Sequence, residues 1–227
     1  MKSGSRFWKV TLLANLTIPV LNRYDLLDRM IESIDYPIGQ LLIIDNGNEL
    51  DYLDFPHCVR SASILPMYSN LGVSTSWNLG IKVFNACPVF FFASADVWFQ
   101  PGDLEKLASS SPDEITLHKT HPHWQTFAIG SGAVEKIGLF DEALHPIYFE
   151  DNDYERRAEA AGVQITYKDL DAGHDNSSTI NSDSHYKSRN SETFADNQKY
   201  YAAKVAAEDF SDGKWNITRT RKNNWAK

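Results

Sequence analysis

Four carboxylates are concentrated in the stretch Ile-Tyr-Phe-Glu-Asp-Asn-Asp-Tyr-Glu-Arg-Arg at positions 147–157, and the first three are closely spaced. Glu150 and Asp151 come directly after a run of apolar and aromatic residues, and Asp153 follows them. The next apolar residues share one helical stripe that ends at Gly162, so a helix is predicted to begin at the acids. A carboxylate that leaves a buried segment and faces a cavity gains proton affinity, which suits it to general-base catalysis.

The same acids also have a structural explanation. Acidic side chains in a first helical turn offset the partial positive charge of exposed backbone N–H groups. Asp151 or Asn152 would in addition cap such a helix. The stretch taken alone favours this explanation, and only the surrounding elements can decide between the two.

Strands and helices are predicted to alternate through the first half of the chain. The predicted strands are 8–18, 41–44, 61–65 and 88–93, and the predicted helices contain 26–34, 73–84 and 104–107. Asn78 is predicted to lie off the buried stripe of the second helix. This alternation is typical of an α/β fold, with a mostly parallel sheet that is flanked by helices on both faces.

Polar residues follow three of the predicted strands. They are residues 19–22, the pair Asp45 and Asn46, and residues 94–96. In sheets of this kind, ligands bind beyond the carboxyl ends of the strands. We therefore expect the three polar groups to lie at one ligand site.

The second half of the chain departs from simple alternation. Strands are predicted at 115–117, 127–129 and 163–167, a short helix contains 133–137, and a final helix contains 194–205. Residues 175–190 have the composition of a loop. This pattern adds a small antiparallel element and a C-terminal helix to the sheet.

The loop at 118–125 carries His121, His123 and Trp124. The two histidines lack a cysteine or other clustered ligand, so ordinary solvent-exposed histidines are favoured over a zinc site. Trp124 could stack on the face of a sugar or fill the core.

The composition is that of a globular chain of moderate size. With 227 residues, of which 42% are hydrophobic, the chain can bury a full core. The net charge of -8 argues against a surface that binds polyanions indiscriminately. Cys58 and Cys87 form neither a disulfide framework nor a metal cluster. No apolar run is long enough to span a bilayer, and the expected location is cytoplasmic.

Several short motifs occur in a characteristic order along the chain. They are Asp45-Asn-Gly after a buried strand, Asn-Leu-Gly-Val-Ser-Thr-Ser-Trp-Asn-Leu-Gly at 70–80, an acid after the Phe-rich strand, Gly138-Leu-Phe-Asp-Glu, the acidic stretch at 149–156, and His174. In this combination the chain resembles the inverting family-two glycosyltransferases of GT-A fold. The resemblance is closest to the branch that includes rhamnosyl- and galactofuranosyl-transferase-like enzymes. It covers about residues 10–174 and implies a GT-A-type, Rossmann-like sheet.

The resemblance implies a nucleoside diphosphate sugar as donor, with UDP or dTDP as the nucleotide. The residues with an implied role in donor binding are Pro19, Asn22, Asp45, Asn70, Gly72 and Ser94. Among them, Asp45 would contact the base, and Asn70 and Gly72 would lie beneath the ribose or the diphosphate. The loop at 19–23 lacks the aromatic residue that the family has there, so the base selectivity stays open.

The resemblance also implies a separate role for each acid of the stretch at 149–156. Asp151 would be the general base, while Glu150 would place the acceptor or tune Asp151 by like-charge repulsion. Asp153 is instead expected to pair with Arg156 and to stabilise the helix start.

A divalent cation is implied as cofactor, either Mn²⁺ or Mg²⁺. Asp96 and His174 would hold it, and the ion would offset the charge that accumulates on the departing diphosphate. The first acid of the family's metal motif is replaced here by Ser94. Metal binding is therefore expected to depend on Asp96 and His174.

These residues together imply a metal-dependent inverting glycosyltransferase whose acceptor is a hydroxyl group, with a glycan as the expected acceptor. Two alternatives stay open. One is a nucleotide-sugar binding module without turnover, which Ser94 suggests. The other is a glycosyltransferase that acts on a modified nucleic-acid base, for which the basic tail at 219–227 leaves room. A sugar nucleotidyltransferase is disfavoured because the glycine-rich, basic first loop of that class is missing.

We expect one GT-A-like domain over residues 1–227. Its nucleotide-sugar-binding half would be 1–110, its metal and acceptor half 111–180, and its C-terminal loop, helix and tail 181–227.

Overall fold

The computed structural model describes residues 12–175 and 184–210. The strands are β1 Leu13–Val20, β2 Ile38–Asp45, β3 Ala62–Pro66, β4 Val89–Ala93, β5 Val97–Trp98, β6 Ile115–His118, β7 Thr126–Gly130, β8 Ile165–Lys168 and β9 Gly173–His174. The helices are α1 Tyr24–Glu32, α2 Gly72–Val83, α3 Asp103–Ala108, α4 Ser131–Ile137, α5 Glu150–Ala160 and α6 Ser184–Ala206. A short 3-10 turn, His123–Gln125, precedes β7. The predicted strand before residue 12, residues 176–183 of the predicted loop, and the basic tail lie outside the described residues.

Seven strands form one sheet in the order β3-β2-β1-β4-β7-β6-β8. All described neighbours in this sheet pair in parallel except β7, which is antiparallel to both β4 and β6. A second, two-stranded antiparallel sheet joins β5 to β9. The predicted fold class, a mostly parallel sheet with a small antiparallel element, flanking helices and a C-terminal helix, is confirmed.

The direction of β7 determines which residues lie at the edge of the sheet where ligands bind. Since β7 runs against its neighbours, its amino end lies beside the carboxyl ends of β4 and β6. Trp124 and Gln125, which directly precede β7, are therefore brought to the edge where ligands bind.

Hydrophobic cores lie on both faces of the sheet, and its central strands β4 and β7 bury every residue. In β4, Phe91 belongs to the core that α1 and α3 cover. Phe90 and Phe92 belong to the opposite core, which α2, α4 and α5 cover. This two-sided burial explains why the central strands appear in the sequence as continuous apolar runs.

Two details of the helices differ from the predictions. Asn78 is fully buried in α2, because its side-chain amide exchanges hydrogen bonds with the backbone of Phe140, at 2.9 Å to the carbonyl and 2.8 Å from the N–H. An amide whose groups are satisfied in this way can be buried at low cost. Residues 184–190, predicted as loop from their composition, belong to α6. Of the helices described, none is both long and apolar enough to cross a membrane.

Candidate active site

A cavity with a volume of about 840 Å³ opens at the ligand edge of the sheet. Nine of the ten predicted site residues line it: Pro19, Asn22, Asn70, Gly72, Ser94, Asp96, Glu150, Asp151 and His174. They come from the carboxyl ends of β1 and β4, the loop before α2 and the first residue of that helix, the start of α5, and β9. The structure thus brings together groups that lie far apart along the chain.

Asp45 is the predicted site residue that does not line the cavity. Its side chain is 1% exposed, and its carboxylate holds the following loop together. One oxygen accepts hydrogen bonds from the Tyr24 hydroxyl at 2.6 Å and from the Asn48 N–H at 2.9 Å, and the other accepts from the Leu50 N–H at 3.0 Å. Asn46, the next residue, lines the cavity, and its side-chain amide donates to the Ser76 hydroxyl at 3.1 Å and accepts from the Leu71 N–H at 2.9 Å.

Asp96 and His174 form a contact pair at the cavity wall. The Nε2 atom of His174 lies 3.0 Å from Oδ1 of Asp96, since β5 and β9 pair Val97 with His174. Close packing fixes this ribbon, because a Cβ atom on Gly173 would lie 2.0 Å from the Trp98 ring. The Nδ1 atom of His174 is buried and makes no hydrogen bond within the described structure.

The donor set of this pair fits a divalent cation. One carboxylate and one imidazole suit Mn²⁺, and Mg²⁺ accepts a carboxylate when substrate phosphates and waters supply further ligands. Among the residues that the structure describes, no group of three or more His, Cys, Asp or Glu side chains could hold a metal. A cation on Asp96 and His174 would therefore need oxygen ligands from a substrate and from water.

Glu150 and Asp151 occupy the first turn of α5, where the backbone turns sharply. Tyr148 and Phe149 have φ values of 84° and 71°, in the left-handed region that non-glycine residues seldom adopt. Such residues cost about 1–3 kcal/mol each and persist only when their surroundings hold them in place. The residue that caps α5 is Phe149, and no side chain provides a capping hydrogen bond. The expectation that Asp151 or Asn152 caps this helix is wrong.

Burial changes the acidity of both acids. Glu150 is 6% exposed, and its removal from water, followed by the nearby Asp151 charge, raises its pKa to about 8. Its Oε2 atom has no hydrogen-bond partner in the described structure. Burial also raises the pKa of Asp151, although a hydrogen bond from the Asn152 N–H at 2.8 Å acts in the opposite direction. Near neutral pH, Glu150 thus carries a proton and stands beside a second carboxyl group.

Asp153 belongs to a buried ionic cluster below the cavity. It is fully buried, its Oδ2 atom accepts a hydrogen bond from Arg157 at 2.8 Å, and its Oδ1 atom contacts the Lys204 ammonium group. Lys204 also pairs with Asp141 at 2.7 Å. The predicted Asp153–Arg156 pair is absent from the ion pairs described, because Arg157 lies one residue further along the buried stripe of α5.

Helix α6 holds the segment that leads into the acids, a contact that no pattern in the sequence indicated. The side-chain amide of Asn197 donates to the carbonyls of Ile147 and Tyr148, at 2.9 and 3.4 Å. Tyr201 stacks on Phe149 with ring centroids 5.4 Å apart. These contacts and the Lys204 cluster hold the strained turn before Glu150.

The first residues of α2 also hold this segment. Gly72 has a φ of 76°, and an added Cβ atom would lie 2.8 Å from the Pro146 carbonyl oxygen. The Val73 N–H donates to that oxygen at 2.7 Å. The backbone at Gly72 therefore packs closely against the acid-bearing segment, at the wall of the cavity.

Trp124 both fills the core and reaches the cavity. It is 8% exposed and packs edge-on against Phe127, with ring centroids 4.7 Å apart. It also lines the cavity, beside Gln125. His121 is exposed as predicted, whereas His123 is half-buried and its Nδ1 atom lies 2.9 Å from the His118 carbonyl.

Comparison with known proteins supports the fold. The chain matches no protein-family model, and no curated protein matches its sequence. TarS residues 1–349 from S. aureus superpose with a TM-score of 0.52 and 13% identity, over 70% of this chain and 59% of that chain. GalNAc-T7, solved with UDP, GalNAc and Mn²⁺, superposes with a TM-score of 0.56 and 11% identity, over 73% of this chain and 44% of that chain. This chain spans about half the length of these structures and shares their GT-A fold.

Proposed function

We propose that this chain is an inverting glycosyltransferase that moves a sugar from a UDP- or dTDP-sugar to an acceptor hydroxyl group. The observation that carries the proposal is the shared cavity, into which the Asp96–His174 pair and the Glu150–Asp151 pair both open. The GT-A fold, and the UDP and Mn²⁺ bound to GalNAc-T7, support the nucleotide-sugar donor and the metal in this proposal. A glycan is the acceptor that we favour, and the motifs favour the rhamnosyl- and galactofuranosyl-transferase-like branch.

The wall formed by the strand ends would bind the donor. The residues on this wall would form the nucleotide pocket. They are Pro19, Asn22, Asn70, Gly72 and Ser94. Since Asp45 is engaged with its own loop, Asn46 would contact the nucleotide through the amide N–H that does not bond to Ser76. Donor contacts would thus come from residues 1–110, and the acids from residues 111–180.

Asp96 and His174 would hold Mn²⁺ or Mg²⁺. When bound, the cation supplies positive charge that stabilises the diphosphate as it departs. Arg23 lines the same cavity, and its guanidinium group pairs with Asp25 at 2.7 Å. Arg23 would supply a second positive charge to the diphosphate only if it exchanged Asp25 for that group.

Asp151 would act as the general base. It removes the proton of the acceptor hydroxyl while that oxygen bonds to the anomeric carbon, and the bond from this carbon to the diphosphate breaks. The diphosphate keeps the electron pair of the broken bond. Because attack comes from the face opposite the diphosphate, one displacement inverts the anomeric centre. Glu150, protonated near neutral pH, can donate a hydrogen bond that places the acceptor.

A second candidate function is a nucleotide-sugar binding module without turnover. The observation that favours it is that the candidate metal site has only two protein ligands, Asp96 and His174, among the described residues. Ser94 stands where an acidic third ligand would be expected. Such a module would bind the donor and leave it intact.

One assay separates the two functions. The chain is incubated with Mn²⁺ and a panel of UDP-glucose, UDP-galactose, UDP-N-acetylglucosamine and dTDP-rhamnose, and donor binding and nucleotide release are both measured. A transferase is expected to release nucleotide slowly by hydrolysis of one donor, faster when sugar acceptors are added. Tight binding without release for the whole panel would favour the binding module, and binding of none would contradict both.

A further inference from the structure

We propose that Arg29 is a positioning residue for the candidate metal pair, because it holds the strand that carries His174 in place against Asp96. The inference rests on the proposed function, which assigns a cation to these two residues. Arg29 belongs to α1 and is not among the residues that line the cavity. Its effect on the site is therefore transmitted through the ribbon that β5 and β9 form.

Arg29 contacts both strands of this ribbon. Its guanidinium carbon lies 4.0 Å from the centroid of the Trp98 ring, and Trp98 is the last residue of β5. Its Nη2 atom donates a hydrogen bond of 2.6 Å to Oδ2 of Asp175, which directly follows His174 at the end of β9. One side chain thus links the strand that follows Asp96 to the strand that ends in His174.

Short contacts connect Arg29 to both chain neighbours of the metal-binding histidine. One neighbour is Asp175, whose N–H also donates to the Asp96 carbonyl at 3.1 Å. The other is Gly173, whose backbone packs so closely against the Trp98 ring that a Cβ atom would not fit. Each neighbour therefore either pairs with Arg29 or packs against the ring that Arg29 covers.

The strand that carries His174 has little backbone support of its own. Both β5 and β9 have two residues, whereas strands in globular proteins usually have about 3–10. Next to β5, the Phe99 N–H donates to the Ser33 hydroxyl, just after α1, at 2.9 Å. The Arg29–Asp175 pair gives the end of β9 a corresponding link to that helix.

An arginine suits both contacts at once. A planar guanidinium group can lie over an aromatic ring and donate to a carboxylate at the same time, which the point charge of an ammonium group does less well. The Nε atom of Arg29 is buried and has no hydrogen-bond partner in the described structure. Because an unpaired buried N–H costs free energy, the contacts with the ring and the carboxylate must compensate for it.

The same contacts should matter little to the stability of the whole chain. The side chains of Arg29 and Asp175 are 40% and 46% exposed, and an ion pair between such groups contributes little to folding. They can nevertheless change the fraction of molecules in which the ribbon is in place. The apparent affinity for a ligand falls with that fraction. A loss of metal binding without a loss of stability therefore distinguishes positioning from a general structural role.

The test compares the wild type, Arg29→Met, Asp96→Ala and the double variant. Methionine keeps an unbranched chain that can cover the ring but lacks the charge. Arg60→Met is the control, because Arg60 is exposed and lies outside the ribbon. Calorimetry measures the affinity for UDP with and without Mn²⁺, and the ratio of the two affinities is the gain from the metal. Urea unfolding measures stability.

We expect Arg29→Met to reduce the gain from the metal about 5-fold, the effect of losing one cation–π contact and one exposed ion pair. Its affinity for UDP without Mn²⁺ and its stability should match those of Arg60→Met. In the Asp96→Ala background, Arg29→Met should cause no further loss of the gain, because the metal pair is already broken.

A second measurement follows His174 without metal or nucleotide. Its imidazole resonances, identified by their absence from the spectrum of His174→Ala, should shift in Arg29→Met and stay unchanged in Arg60→Met. The physical reason is that the ring changes its position relative to Asp96.

An unchanged gain in Arg29→Met, or unchanged His174 resonances, would overturn the proposal. So would an equal loss of the gain in the wild-type and Asp96→Ala backgrounds, because Arg29 would then act elsewhere. A fall in metal-free UDP affinity or in stability beyond that of Arg60→Met would show a structural role and would also overturn it. If Mn²⁺ adds nothing to UDP binding by the wild type, the metal site of the proposed function is contradicted, and the resonance shift still decides whether Arg29 positions His174.

Discussion

Nε2 of His174 lies 3.0 Å from Oδ1 of Asp96, although the two residues belong to opposite halves of the chain. The contact depends on the β5–β9 ribbon, which pairs Val97 with His174. A site that draws one group from each half can form only when the β5–β9 ribbon has joined the two halves. This relationship leads to the first prediction.

Asp96→Ala and His174→Ala should each weaken the binding of Mn²⁺ and UDP together. Because the site has only two candidate protein ligands, either substitution removes half of the protein's ligands to the metal. We expect the affinity for Mn²⁺ and UDP to fall at least about 10-fold, which is within the range for altered metal sites. Calorimetric titration of UDP with and without Mn²⁺ measures it. Asp171→Asn is the control, because that side chain is 77% exposed and pairs with Lys106. An unchanged titration in Asp96→Ala would remove Asp96 from the metal site.

Asp151→Asn should nearly abolish sugar transfer while donor binding stays intact. The amide is the same size as the carboxylate but cannot take a proton from the acceptor, and general-base catalysis typically contributes about 100- to 10,000-fold in rate. Steady-state transfer rates and UDP-sugar affinity are measured side by side. Glu159→Gln, an exposed acid on the same helix, should leave both unchanged. Full turnover by Asp151→Asn would exclude Asp151 as the base.

Glu150→Gln should remove a pH-dependent loss of stability. The pKa of Glu150 is raised from 4.5 to about 8 in the folded protein. The folded state therefore holds a proton that the unfolded state releases, and this contribution to stability is complete below about pH 4.5 and is lost as pH rises to about 8. The free energy of unfolding in urea, measured at pH 5 and pH 9, should fall more in the wild type than in Glu150→Gln.

Glu159→Gln provides the control for that measurement, since an exposed acid should titrate alike in both states. If the wild type and Glu150→Gln lose equal stability between pH 5 and pH 9, the raised pKa of Glu150 is wrong.

Lys204→Met should destabilise the protein by about 3–5 kcal/mol, the usual cost of removing one partner from a buried ion pair. Asp141 and Asp153, both buried, would keep their charges without this ammonium group. Urea unfolding measures the loss. Lys199→Met, on the same helix but 81% exposed, is the matched control and should have little effect. Equal stability of the two variants would show that α6 is not anchored through Lys204.

The sequence predicted the sheet because its signals are local. The apolar run of β4 shows burial on both faces, and the polar residues that follow each strand mark the ligand edge. Contacts between side chains that are distant in sequence have no comparable local pattern. Lys204 and Asn197 lie in a polar helix, and nothing in their spacing indicated that they contact α5 and the turn before it.

Two further features depended on backbone geometry that composition does not reveal. Asp45 accepts hydrogen bonds from N–H groups of its own loop. Its position at the end of a predicted strand did not indicate whether its side chain would point to this loop or to a ligand. Gln125 reaches the cavity only because β7 is antiparallel, and the sequence predicted that strand without its direction.

The most direct test is a crystal structure of the chain with UDP and Mn²⁺. We predict that UDP occupies the cavity at the carboxyl edge of the sheet, with Mn²⁺ bound by Asp96, His174 and the diphosphate, and with Asp151 facing the open space beyond. A nucleotide bound elsewhere, or a Mn²⁺ ion that contacts neither Asp96 nor His174, would contradict this account.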